Sequence, residues 1–124
     1  MKTKIAMLAM CSMICFMGCV TTPQQSAAKT LSTVAITVDK LMQGWAQWVV
    51  VQRANPATDQ AQLLRSEGNV KSAYETYQIS MQTARAMYAA YVVNPLLQGQ
   101  LDAAVANVTQ QKNTLTATVN TIKK

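Results

Sequence analysis

Chemistry in this chain would have to come from a small set of side chains: the thiols of Cys11, Cys15 and Cys19 and the carboxylates of Asp39, Asp59, Glu67, Glu75 and Asp102. Histidine is absent. Without an imidazole, and with no two carboxylates paired closely in sequence, general acid–base catalysis, zinc binding and nucleophilic Cys–His or Ser–His–Asp arrangements each lack a usual participant. Gly44, Gly68 and Gly99 stand alone, so no glycine-rich loop is written here to cradle a phosphate. Distant carboxylates could still meet in a fold, but this residue set predicts a non-enzymatic protein with no catalytic residue, no metal site and no cofactor. The formal net charge is +6, with the positive residues scattered singly and a longest run of only Lys123-Lys124. Nucleic-acid binding would ask for a basic stripe that neutralises several phosphates together, and none is present.

Cys19 has the most specific setting of the three thiols. Lys2 and Lys4 precede an apolar stretch from Ile5 to Phe16, which closes in Phe16-Met17-Gly18-Cys19. This leader resembles the bacterial lipoprotein signal that ends in a lipobox: Gly18 and Cys19 fit, while Phe16 and Met17 stand where Leu and a small residue are usual. The resemblance covers about the first twenty residues, and none is carried by the remainder. It implies a signal peptide over 1–18, a diacylglycerol thioether on Cys19, cleavage before that residue and acylation of the new amino group. Each buried methylene of an acyl chain such as palmitate contributes about 0.8 kcal/mol, so several chains hold far more firmly than one.

Three other readings of the same residues stand beside this one. An ordinary secretory signal would show a small-x-small cleavage site, which is missing near residues 16 to 22. A transmembrane helix needs about 20 apolar residues, and this run is shorter. A lone cysteine can also serve simply as an apolar core residue. Cys11 and Cys15, which lack a small residue before them, would leave with the leader. The mature chain, Cys19 to Lys124, would then hold one acylated cysteine and no intramolecular disulfide. Losing Lys2 and Lys4 lowers its formal net charge from +6 to +4.

The elements after Cys19 suit one domain with a modest core. Residues 19–27 are polar around Pro23, Gln24, Gln25 and Ser26 and predict a flexible tether, with the folded domain spanning 28–124. Leu31, Val34, Val38, Leu41, Trp45 and Trp48 recur at alternating spacings of three and four, the stripe of a helix that Asn55-Pro56 ends. Val70, Tyr74, Tyr77, Met81, Ala84, Tyr88 and Tyr91 repeat the pattern in a second helix, for which Pro56 suits the first turn and which Gly68-Asn69 would kink or break. Asn94-Pro95 ends it, and Leu101, Val105, Val108, Leu115, Val119 and Ile122 mark a third, with Lys112 interrupting the stripe. The β-branched run 34–38 and the alternation over 114–119 favour strand by propensity, but each sits inside a longer helical stripe. Short connections favour antiparallel neighbours, so the expected fold is all-α, an antiparallel up-down three-helix bundle with coiled-coil spacing.

Two surfaces could carry function. Trp45 and Trp48 with Val49, Val50 and Val51 form the most apolar patch after the leader, and consecutive helical positions about 100° apart cannot all face one seam. Leu63 and Leu64 could fold over this patch as core, or Trp45, Trp48, Val50 and Val51 could form an interface for a partner or a second copy. Tyr74, Tyr77, Tyr88 and Tyr91 share one stripe and could be core or line a groove. In an up-down bundle Tyr88, Tyr91, Val92 and Val93 return to the end where the tether begins, and the tyrosines there would suit a membrane interface.

Together these features predict a small helical lipoprotein, anchored to membrane lipid through acylated Cys19, that binds an envelope protein or itself, or scaffolds, without catalysis. Val20 does not resemble the Asp retention signal at the second position, so in a Gram-negative host the expected location is the outer membrane, facing the periplasm. One alternative is a phage-encoded or secreted envelope modulator that blocks a receptor or aids lysis. Another is a wall-linked structural lipoprotein, suggested by a limited resemblance to the murein lipoprotein family, whose lipid-anchored heptad helix ends in a lysine joined to peptidoglycan. Lys124 is the matching residue, but Pro56 and Pro95 break this chain, which would fold on itself instead of forming one rod. Lys123 and Lys124 also suit the C-terminal end of any helix.

Overall fold

The three apolar stripes become three long helices: α1 (Pro23–Ala54), α2 (Gln60–Val93) and α3 (Gln98–Lys123), with a 3-10 turn at Pro95–Leu97 leading into the last. The computed structural model describes residues 23–124, and the leader and Cys19 lie outside them. Each helix packs against both of the others, forming a bundle with no strand among the described residues. The buried positions keep a seven-residue repeat in every helix: Leu31, Val38 and Trp45 in α1; Leu63, Val70, Tyr77 and Ala84 in α2; Leu101, Val108 and Leu115 in α3. Such a repeat keeps one seam of each helix on its neighbours as the helices wind around one another. Leu101, Val108, Leu115 and Val119 are wholly inaccessible, which makes the inner face of α3 the best-covered part of the core.

The strand-like stretches are helical for a reason visible in their hydroxyls. Thr37 donates to the Thr33 carbonyl, and Thr116, Thr118 and Thr121 donate to the carbonyls of Lys112, Thr114 and Ala117. Bonding to the carbonyl four residues back satisfies the polar half of a β-branched side chain within the helix itself. The buried Ser80 does the same to Thr76 and accepts a bond from Asn107 of α3 at 3.3 Å. No buried side-chain nitrogen or oxygen among the described residues lacks a partner.

Both turns use one device. Asn55 Oδ1 accepts from the Ala57 amide at 3.0 Å, and Asn94 Oδ1 accepts from the Leu96 amide at 3.2 Å, each across the intervening proline. Asparagine thereby closes a local turn and the proline that follows fixes its backbone. The exits differ. After Pro56 the chain runs on to Asp59, whose carboxylate accepts from the Ala61 and Gln62 amides at 3.1 and 3.2 Å and caps α2. After Pro95 the 3-10 turn passes straight into α3, and Leu97 offers no side-chain cap.

Three expected boundaries are corrected. The helix already includes Pro23, the first described residue, so residues 23–27 of the expected tether are helical, and Ala27 is buried. Pro56 belongs to the turn, and Asp59 takes over as the start signal of α2. Gly68 neither ends nor interrupts α2, which runs through it as helix; a Cβ there would meet nothing within 4 Å. Leu63 and Val70 hold the same face on both sides of it, and their burial outweighs the roughly 1 kcal/mol that glycine costs a helix.

Candidate docking surfaces at the two ends of the bundle

Most of the residues singled out from sequence fall into two groups, one at each end of the helices, with Tyr74 and Tyr77 between them. At the α1–α2 end, the helical phase divides the apolar patch. Trp45 and Val49 turn inward and are buried, and Trp48 is half-buried with its ring stacked on Trp45 at a centroid separation of 5.2 Å. Val50 and Val51 point outward, 67% and 62% exposed. Leu63 and Leu64 divide likewise: Leu63 is buried and Leu64 is 69% exposed, so only the first of them covers the tryptophans' end as core. Trp48 lines a pocket of about 150 Å³ with Thr58, Asp59, Leu63 and Ile122, which brings the end of α3 to this same end. The Arg53 guanidinium donates to the Glu67 carboxylate across the turn, and Arg65, Lys123 and Lys124 add further charge. At this degree of exposure such an ion pair contributes only ~0–1 kcal/mol.

At the α2–α3 end, the start of α1 lies beside the end of α2 and the start of α3. Tyr88 shares a groove of about 350 Å³ with Ala28, Leu31 and Ala35, and Gln98 and Asp102 share another, of about 430 Å³, with Ser26 and Ala27. Tyr88 and Tyr91 are half-buried. Next to them, Val93 and Leu96 are 86% and 91% exposed, and Val92 is about half exposed. No charged residue occurs between Arg85 and Asp102, or from Cys19 to Ala28. Sequence reasoning identified Tyr88, Tyr91 and the valines but missed Leu96. Its only signal was an apolar residue directly after a turn-forming proline.

The other two tyrosines lie midway along α2. Tyr74 and Tyr77 stack with centroids 6.1 Å apart, and both line a groove of about 220 Å³ with Asp39 and Arg85. Burial raises the Tyr77 hydroxyl above the ordinary tyrosine value, Asp39 raises it further, and Arg85 pulls the other way. Tyr77 is buried in the core while Tyr74 is half-buried, so along the stripe one ring closes the interior and its neighbour borders an open groove.

Among the described residues no three side chains of the His, Cys, Asp and Glu types gather closely enough to hold a metal ion. No helix among them is long and apolar enough to cross a membrane. Cys19, the expected lipidation site, precedes the described residues by four positions. No protein-family model, curated protein or solved structure matches the chain.

Proposed function

We propose that the protein is a lipid-anchored lipoprotein of the cell envelope with a non-catalytic binding or scaffolding role. The observation that carries this reading is the pairing of a lipobox-like Cys19 with a bundle end whose turn, residues 86 to 101, has no charge and exposes apolar side chains near where the chain enters α1. The helices run up, down and up as antiparallel neighbours. Tyr88 beside Leu31 at one end, and Ile122 beside Trp48 at the other, support that order. At 1.5 Å per residue the 32 residues of α1 span roughly 48 Å, so the Trp48 end stands well away from the anchor. There Val50, Val51 and Leu64 offer apolar surface to an envelope protein or to a second copy. In a Gram-negative cell the site of action is the outer membrane, facing the periplasm.

Metabolic labelling with a palmitate analogue, followed by membrane fractionation, tests the anchor. The unaltered chain is expected to take up label and sediment with membranes, and Cys19→Ala to lose both. Unchanged labelling and sedimentation of Cys19→Ala would end the proposal.

A further inference from the structure

Among the described residues Leu96 and Val93 are the most exposed of the large apolar side chains, and both stand at the turn from α2 into α3. A turn tip of this kind normally carries polar or charged residues, yet positions 86 to 101 contain no charge at all. The start of α1 is at the same end, since Ser26 and Ala27 border Gln98. Pro23 follows Cys19 by four residues, which even fully extended cover no more than ~14 Å. Whatever holds Cys19 is therefore held close to this tip.

We propose that the tip is a second membrane contact, in which Val92, Val93 and Leu96 enter the boundary between headgroups and acyl chains while Tyr88 and Tyr91 lie at headgroup level. Three features select a bilayer over a protein socket as the occupant. Cys19 precedes Pro23, at this end, by only four residues; no charge between residues 86 and 101 has to be stripped of water as the tip enters; and tyrosine rings are apolar in body and polar at the hydroxyl, as an interface requires. The tip itself, residues 86 to 101, carries no Lys or Arg, and the charges that flank it in sequence, Arg85 and Asp102, border the two grooves with opposite sign, so the contact draws little on anionic headgroups and depends little on lipid charge and salt. The inference rests on the lipoprotein reading for what keeps the domain at the bilayer, and it adds an orientation, with the α2–α3 turn down and the Trp48 end outward.

The test places photoreactive p-benzoylphenylalanine singly at positions 93, 96, 50 and 64 of the full chain. Each protein is purified from membranes and reconstituted in vesicles of phosphatidylcholine or of phosphatidylcholine with phosphatidylglycerol. Substitution at these four exposed positions removes no core packing. After irradiation, phospholipid adducts are expected at 93 and 96 several-fold above those at 50 and 64, alike in both lipids and at low and high salt. Equal adduct yields at all four positions would overturn the inference, as would capture of a second copy of the chain at 93 and 96. The mass of the same purified protein reports acylation at Cys19 separately. An acylated chain without adducts at 93 and 96 removes the tip contact and leaves the anchor standing, whereas an unacylated chain that still gives them removes the anchor and leaves the tip contact.

Discussion

At the α1–α2 end the chain turns through Asn55-Pro56 among Arg53, Asp59, Arg65, Glu67, Lys123 and Lys124; at the α2–α3 end it turns through Asn94-Pro95 with no charge from residue 86 to residue 101. The turn chemistry is the same, an asparagine oxygen taking the amide two residues on. A tight connection between two helices therefore places no demand on the surrounding charge. The bare end is not a requirement of folding, and its apolar tip is surface that the bundle could have made polar at little cost. The capped, ion-paired end keeps its apolar excess on helix flanks, at Val50, Val51 and Leu64, and not on the turn itself.

Substitutions matched between the ends sharpen this contrast. The largest effect is expected in the core. Leu115→Ala should lose about 2–5 kcal/mol in urea unfolding, and Leu101→Ala less, although both side chains are wholly inaccessible. Leu115 belongs to the continuous cluster that includes Val38, Trp45 and Val70, whereas Leu101 lies outside it in the first turns of α3. A larger loss at Leu101 would show that the bare end is the better packed. Next come the turns. Asp59→Ala removes a carboxylate that accepts from two amides and should cost about 1 kcal/mol, and Asn94→Ala removes one such bond and should cost about 0.5 kcal/mol. Equal thermal shifts for the two would deny the capped end its advantage.

The smallest effect belongs to neither end. Tyr77 has its hydroxyl raised above the ordinary value near 10, so folding favours the neutral form. That contribution is complete below the unfolded value and is lost as pH rises through the folded one. The urea midpoint should accordingly fall on the alkaline side of about pH 10, and Tyr77→Phe should flatten part of that fall. An identical alkaline profile in the variant would assign the loss to other groups.

The stripes of α1, α2 and α3 were legible because one helical face holds most of their Leu, Val, Met and aromatic side chains, and the structure buries or half-buries every stripe residue. Helix continuity through Gly68 was also legible, though only by extending the pattern backward: Leu63 precedes Val70 by one heptad, as Ala27 precedes Leu31 by four residues. Reading Gly68-Asn69 and Gln24-Gln25-Ser26 by composition hid those spacings. The candidate surfaces were less accessible. Neighbours such as Val49 and Val50, or Leu63 and Leu64, differ in chemistry by little and in burial almost completely, because about 100° of helical phase separates them. Leu96 has no periodicity to betray it, since a turn has no face until its neighbours are fixed.

The two asparagine turns also bear on how fast the chain can find its shape. Residues 55–59 and 94–97 are the whole of the connections, so each successive pair of helices is joined by a very short loop, and most neighbours in space are neighbours in sequence. Little loop entropy has to be lost before packing begins, which places the protein among chains that fold in roughly microseconds to milliseconds. The chain would thus keep its apolar seams open to other chains only briefly.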